Sequence, residues 1–239
     1  MSIFRSPQNP IITPDDVKPS RDDFEVIGAF NAAVTRLGKQ VILLLRVAER
    51  PVSSNSDIAY APIYDIEKKQ IVLKEFSKNE PTNDFSDPRL IVRANETYLT
   101  SISHLRVARS RDGVNFEIEE SPGLAAQTEY ETFGLEDARI SLIDGIYYIN
   151  YVAVSPAGVA TALASTSDFV NFQRHGIIFC PDNKDVAIFP QKVNGKFYAI
   201  HRPASGLFQK NDMWFAESND LICWGNHRYL MGPSTKGWD

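Results

Sequence analysis

Apolar and polar positions alternate along much of this chain, and the alternating stretches are rich in β-branched and aromatic residues, as in Gly145-Ile-Tyr-Tyr-Ile-Asn-Tyr-Val152 and Gly195-Lys-Phe-Tyr-Ala-Ile200. A period of two in residues of this kind predicts strands with one face buried. Asp144-Gly145 and Asn194-Gly195 open these two stretches, and such pairs accept the positive φ angles of tight hairpin turns. Further strands are predicted over 34–47 and 58–66. No stretch sustains a helical period, so the expected fold class is all-β.

The pattern also repeats on a longer scale. Ala108-Arg-Ser-Arg-Asp112-Gly-Val-Asn-Phe116 is echoed at 164–172 (ASTSDFVNF) and 216–224 (AESNDLICW), copies that stand 56 and 52 residues apart. A second series, Asp87-Pro-Arg89, Asp137-Ala-Arg139 and Asp185-Val-Ala187, leads into each copy at spacings of 50 and 48. Units of about 40–50 residues that can each form several antiparallel strands predict the blades of a β-propeller. With a more diverged first unit, the expected units are 24–86, 87–136, 137–184 and 185–233, within a single domain over 1–239. The chain stops just as a further unit should open, and is expected to be C-terminally incomplete.

Composition narrows the function classes. With 43% hydrophobic and 23% charged residues the chain can bury a core. Its formal net charge of −5 argues against non-specific binding to nucleic acid or anionic membrane. The longest apolar run, Val41 to Leu45, is far short of the roughly 20 residues of a membrane span. Only two cysteines and a polar N-terminus suggest neither a disulfide framework nor export, so a cytoplasmic protein is expected. The four histidines lack metal-ligand spacing, and no G-x-S-x-G, P-loop or G-x-G-x-x-G occurs, so neither a metal nor a cofactor is expected.

Among the polar residues, Asp112, Asp168 and Asp220 recur beside Ser or Thr, as side chains do that hydrogen-bond their own turn. Asp137 and Arg139, like Asp87 and Arg89, lie two apart and are expected to share one face of a strand. Only Asp137 is preceded by a cluster of carboxylates and aromatics, Tyr130-Glu-Thr-Phe-Gly-Leu-Glu136. Such a cluster suits sugar recognition and acid catalysis, because a partly buried carboxyl can be kept protonated as a donor; surface ion pairing is the alternative. Lys184 and Arg202 precede and end a predicted strand pair and could clamp an anion.

At Gly134-Leu-Glu-Asp-Ala-Arg-Ile140 the sequence resembles glycoside hydrolase family 130, the five-bladed propellers that include β-mannoside phosphorylases and β-mannosidases. Phe30-Asn31, Leu45-Arg46-Val47, Asn183-Lys184-Asp185, Phe189-Pro190, Gly195-Lys196 and His201-Arg202-Pro203 match in the family's order. The resemblance implies Asp137 as general acid, passing its proton to the glycosidic oxygen through a mannosyl hydroxyl. It implies Asn31, Arg46 and Asp185 as sugar-binding residues, and Lys184 and Arg202 as ligands of inorganic phosphate, the co-substrate. A β-mannosidic disaccharide or oligosaccharide is the implied partner, cleaved with inversion to mannose 1-phosphate. The alternatives are an inverting β-mannosidase, which needs a second carboxylate opposite the acid, and a non-catalytic sugar-binding propeller. Family members carry a further blade with another phosphate ligand, so about four blades are expected here. Two uncovered blade faces would favour self-association into a homo-oligomer.

Overall fold

The predicted hairpin turns form and set the sheets. Asp144 and Gly145 take φ of 49° and 81°, and Asn194 and Gly195 take 52° and 81°, the left-handed pairs that let two strands reverse in two residues. In the computed structural model, which describes residues 5–204 and 211–234, β1 (Phe24–Leu37) and β2 (Gln40–Pro51) make a long hairpin. Two small sheets follow as an insertion, one of β3 (Ile58–Asp65) and β4 (Gln70–Ser77), the other of β5 (Asn83–Asp84), β6 (Leu90–Arg93) and β7 (Glu96–Leu99). The chain returns as β8 (Ile102–Ser110) and β9 (Glu117–Ile118) to complete an antiparallel sheet ordered β1-β2-β8-β9. A second sheet holds β10 (Leu135–Ile143), β11 (Ile146–Ser155), β12 (Gly158–Thr166) and β13 (Gln173–Phe179) in sequence order. A third holds β14 (Asn183–Ile188), β15 (Phe197–Pro203), β16 (Met213–Ser218) and β17 (Trp224–Met231). The protein is all-β, and none of these sheets closes on itself.

The sheets divide the chain differently from the expected units. Strands from 24–86 and from 87–136 share one four-stranded sheet, because β2 pairs with β8 without interruption from Val41↔Ser110 to Glu49↔Ile102. Three four-stranded sheets therefore stand, among the described residues, where about four blades were expected. Pairing across an insertion of some fifty residues leaves no periodic trace in the sequence.

Burial orders the sheets in a stack. Ile42, Leu44, Leu105 and Val107 of the first sheet pack with Leu135, Ile149, Tyr151 and Ala164 of the second. Leu163 and Ile178 of the second pack with Val186, Ile188, Phe197 and Ala199 of the third. Each fully buried side chain of this size contributes roughly 1.5–3 kcal/mol. The other face of the first sheet is covered by Val17 of the N-terminal segment, against Leu43, Leu45 and Val47. There Glu49 accepts the Ser20 N–H at 2.7 Å, and the Arg106 Nε–H donates to His104 Nε2 at 3.2 Å. Burial, with the nearby Arg106 charge, pushes His104 down to about 3, so the ring is neutral and can accept that bond.

The recurrent aspartates are turn caps. Asp112 Oδ1 accepts the N–H groups of Val114 and Asn115, Asp168 those of Val170 and Asn171, and Asp220 those of Ile222 and Cys223. The residue after each aspartate takes a positive φ (Gly113, Phe169, Leu221), and Phe169 and Leu221 are turned into the core. The Asn115 side chain donates to Asp112 and the Asn171 side chain to Asp168, each at 2.8 Å, and with the backbone donors these bonds hold all three carboxyls below the usual carboxylate range.

Candidate active site

The first strand of each large sheet carries the same irregularity. Pairing slips between Phe30 and Ala33 in β1, between Glu136 and Arg139 in β10, and between Lys184 and Ala187 in β14. At each slip one residue takes a left-handed φ: Asn31 at 49°, Asp137 at 45°, Asp185 at 57°. Asn and Asp are the residues other than glycine that bear this conformation at least cost. The three bulges line one cavity of about 540 Å³. A bulge re-aims a side chain out of the sheet's alternation, and three of them bring a carboxamide and two carboxylates into a common space.

Two donors converge on one oxygen of Asp137. The Asn31 Nδ2–H donates to Oδ1 at 2.9 Å, and Arg46 Nη1 donates to the same atom at 3.1 Å. The other arm of the Arg46 fork, Nη2, donates to Glu136 Oε1 at 2.6 Å, and its Nε–H to Ser103 Oγ at 3.2 Å. The guanidinium also lies over the Phe30 ring, 4.9 Å from its centroid. Every donor group of Arg46 that faces the site is thereby fixed. Burial pushes the Glu136 carboxyl above its ordinary value; the Asp137 charge adds to this, while Arg46 and Lys184 oppose it.

A second cluster stands on the third sheet. Arg202 donates from both Nε, at 2.8 Å, and Nη2 to Asp185 Oδ2, and from Nη1 to Asn211 Oδ1 at 3.2 Å. Lys184 is the register partner of Arg202 across β14 and β15. Behind Arg202, the buried His201 accepts from Asn183 Nδ2 at Nδ1 (2.8 Å), contacts His227 at 3.0 Å and stacks on Phe179 at 4.5 Å. All six expected site residues thus fall on the three bulged strands or on their paired neighbours. Asn31, Arg46 and Asp137 are bonded together and Asp185 is bonded to Arg202; of the six, Asn31, Asp137 and Asp185 line the cavity itself, whereas Arg46, Lys184 and Arg202 lie outside its lining.

Two expectations are corrected. Asp87 is not the counterpart of Asp137: it lies in the insertion before β6, paired with Arg89 at 2.6 Å, and Asn31 holds the matching bulge. The rule that residues two apart share a face does not apply to Asp137 and Arg139, because the bulge between Glu136 and Arg139 interrupts the alternation. Ser103 and Phe30 were not foreseen as site residues. Ser103 comes from a distant strand that pairs with β2 across the insertion, while Phe30 had only its place beside Asn31 as a signal.

The approach to Asp137 is anchored by Gly134. Its φ is 100°, and a Cβ there would lie 2.4 Å from the Ser103 carbonyl oxygen and 2.7 Å from the Ser103 nitrogen. Gly134→Ala is therefore expected to destabilise the protein by about 1–3 kcal/mol and to pull Asp137 away from Arg46. Thermal denaturation together with an activity assay checks this, and an unperturbed variant would show that the segment tolerates displacement.

Known proteins resemble this chain in sequence and in fold. The family model described as beta-1,4-mannooligosaccharide phosphorylase matches residues 98–239. A beta-1,2-mannobiose phosphorylase of Listeria innocua serovar 6a is 49% identical over 236 residues, covering 97% of this chain and 66% of the relative. A 1,2-beta-oligomannan phosphorylase of Thermoanaerobacter is 36% identical over 141 residues, covering 58% of this chain and 46% of that protein. The chain thus spans about two thirds or less of the length of these relatives. The structure of the Listeria innocua enzyme in complex with beta-1,2-mannobiose superposes with a TM-score of 0.93 at 48% identity, over 98% of this chain and 68% of that one. A Bacteroides ovatus glycosyl hydrolase, at 19% identity and a TM-score of 0.65, shares the fold. On the match of the family model to more than half of its length, together with the motifs now placed in one site, the chain belongs to glycoside hydrolase family 130.

Proposed function

We propose that the protein is an inverting β-mannoside phosphorylase built on a β-propeller, the three large sheets being blades and their bulged first strands lining the central channel. The observation that carries this reading is the focusing of Asn31 and Arg46 on Asp137 Oδ1, with Lys184 on the bulged strand β14 and Arg202 opposite it on β15. With Oδ1 occupied by two donors, the transferable proton belongs on Oδ2. Asp137 gives that proton to the glycosidic oxygen, through a mannosyl hydroxyl, as the bond to the anomeric carbon breaks. Asn31, Arg46 and Asp185 hold the mannosyl unit. Inorganic phosphate, held by Lys184 and Arg202, attacks the anomeric carbon from the opposite face, and inverted mannose 1-phosphate leaves. The similarity to the Listeria innocua enzyme favours a β-1,2-linked disaccharide as substrate.

The hydrolytic alternative would need a free carboxylate opposite the acid. Of the carboxylates lining the cavity, Asp185 is the one besides Asp137, and Arg202 holds it with two donors. Incubation with β-1,2-mannobiose tests the reading: mannose 1-phosphate that forms only when phosphate is present is the expected result. Free mannose formed equally without phosphate would replace phosphorolysis by hydrolysis, and no product at all would overturn both. Arg202→Ala is expected to raise the phosphate KM by about tenfold to a hundredfold, the loss of a charge-assisted contact of roughly 1.5–3 kcal/mol. An unchanged phosphate KM with a raised sugar KM would move Arg202 to the sugar.

A further inference from the structure

Glu136 and Asp137 are consecutive, and in a regular strand their side chains would point to opposite faces. The slip between Glu136 and Arg139, with Asp137 at a φ of 45°, removes that alternation, so both carboxylates reach the same guanidinium. Arg46 donates from Nη2 to Glu136 Oε1 at 2.6 Å and from Nη1 to Asp137 Oδ1 at 3.1 Å. The contact to Glu136 is the shorter one, and Glu136 is the less exposed carboxylate of the two. The proposed reaction leaves Glu136 without a task, and it does not line the central cavity. Among the described residues, Arg46 is the hydrogen-bond partner of its side chain.

Charge decides what this arrangement does. A guanidinium beside a carboxyl favours the ionised form, whereas a general acid has to meet its substrate protonated. Arg46 alone would therefore oppose the role of Asp137. With the Glu136 carboxylate on its other arm, Arg46 is already neutralised, and the neutral arrangement of the three groups is the one in which Asp137 holds its proton. Without the Glu136 charge, the neutral arrangement would be Arg46 with an ionised Asp137, which has no proton to give. The charged groups that act on Glu136 are Arg46 from β2, Lys184 from β14 and Asp137 from its own strand, and its register partner on β11 is the apolar Val152. Burial and the Asp137 charge both work against a second negative charge here, so the two carboxyls titrate as a pair. The 2.6 Å contact to Arg46 puts the charge on Glu136 and leaves the proton to Asp137.

We propose that Glu136 is a positioning residue for the general acid: its carboxylate takes one arm of the Arg46 fork and balances the Arg46 charge, which aims the other arm at Asp137 Oδ1 and leaves the proton on Asp137. This rests on the reading of Asp137 as the acid of the central site. Glu136 acts through Arg46 and touches neither sugar nor phosphate.

Titration of the Asp137 carboxyl, followed by NMR in carboxyl-labelled protein and assigned by the signal missing from Asp137→Asn, tests the proposal without turnover. In the parent protein the Asp137 signal is expected to shift in two steps, one of them at the pH where Glu136 titrates. In Glu136→Gln it should titrate in one step and at lower pH, and Glu136→Asp, which keeps the charge, should restore the second step. In turnover of β-1,2-mannobiose with phosphate, Glu136→Gln should move the alkaline limb of kcat/KM to lower pH and lower kcat/KM about tenfold above neutral pH. A single-step curve in the parent, which requires no Glu136 variant, would overturn the proposal. So would a folded Glu136→Gln, checked by its melting curve, in which kcat falls while the Asp137 titration and the limb stay in place. Two-step titration in a protein that forms no mannose 1-phosphate would keep the pairing of Glu136 with Asp137 and remove the phosphorolysis it serves.

Discussion

Asp137→Asn is expected to lower the rate of glycosidic bond cleavage by about 10²–10⁴-fold, the usual contribution of a positioned general acid. The substitution is isosteric and removes the proton. It also puts a carboxamide where Asn31 and Arg46 both donate to Oδ1, and the amide oxygen can still accept those bonds. Folding should therefore survive, and the loss should fall on kcat rather than on sugar binding. Steady-state kinetics on β-1,2-mannobiose, beside a thermal melt, separates the two effects. Near-normal turnover by the folded variant would remove Asp137 from the acid's role.

Glu131→Ala is expected to cost roughly 3–5 kcal/mol of stability, because it removes the buried carboxylate of the ion pair with the partly buried Arg174. Glu131 is 2% exposed and its carboxylate is saturated with donors. The Gln127 and Thr128 N–H groups reach Oε2 at 2.8 and 3.2 Å, the Tyr151 hydroxyl reaches Oε1 at 2.8 Å, and Arg174 Nη1 donates to Oε1 as well. Burial and the Glu131 charge push the Tyr151 phenol above its ordinary value, so it stays protonated and donates at neutral pH. Loss of the carboxylate would release the turn that leads to Gly134 and Asp137 and strand Arg174. A fall in melting temperature of about 6–20 °C corresponds to that loss for a chain of this size, with Glu131→Gln milder because it keeps an acceptor. A melting temperature within two degrees or so of the parent's would show that Arg174 finds another partner.

Glu131 and Glu136 illustrate what sequence reading misses. Both appear in the sequence as carboxylates beside the candidate acid, with nothing to rank them. The fold makes Glu131 a buried anchor satisfied by β11 and β13, and Glu136 the closer partner of Arg46. The difference comes from groups at least 20 residues away in sequence for the Tyr151 and Arg174 contacts and 90 away for Arg46. Local pattern carries no information over such distances. Asp87 shows the opposite error: a local motif resembling that of Asp137 sits in the insertion, with its charge spent on Arg89.

By itself, the sequence determined the features whose causes are local. Period-two alternation gave the strands, Asp-Gly and Asn-Gly gave hairpins with left-handed turns, and the recurrent aspartate box gave capped turns after the third strand of each large sheet. The motifs around Asn31, Arg46, Asp137, Lys184, Asp185 and Arg202 also stood in the sequence, because each is a contiguous run. Only the tertiary structure decided which strands pair across the insertion. It also decided that Asn31, not Asp87, occupies the place equivalent to Asp137, and that three bulges aim their side chains into one cavity. A strand's propensity is set by neighbouring residues, whereas its partner and register are set by burial of one face against residues far along the chain.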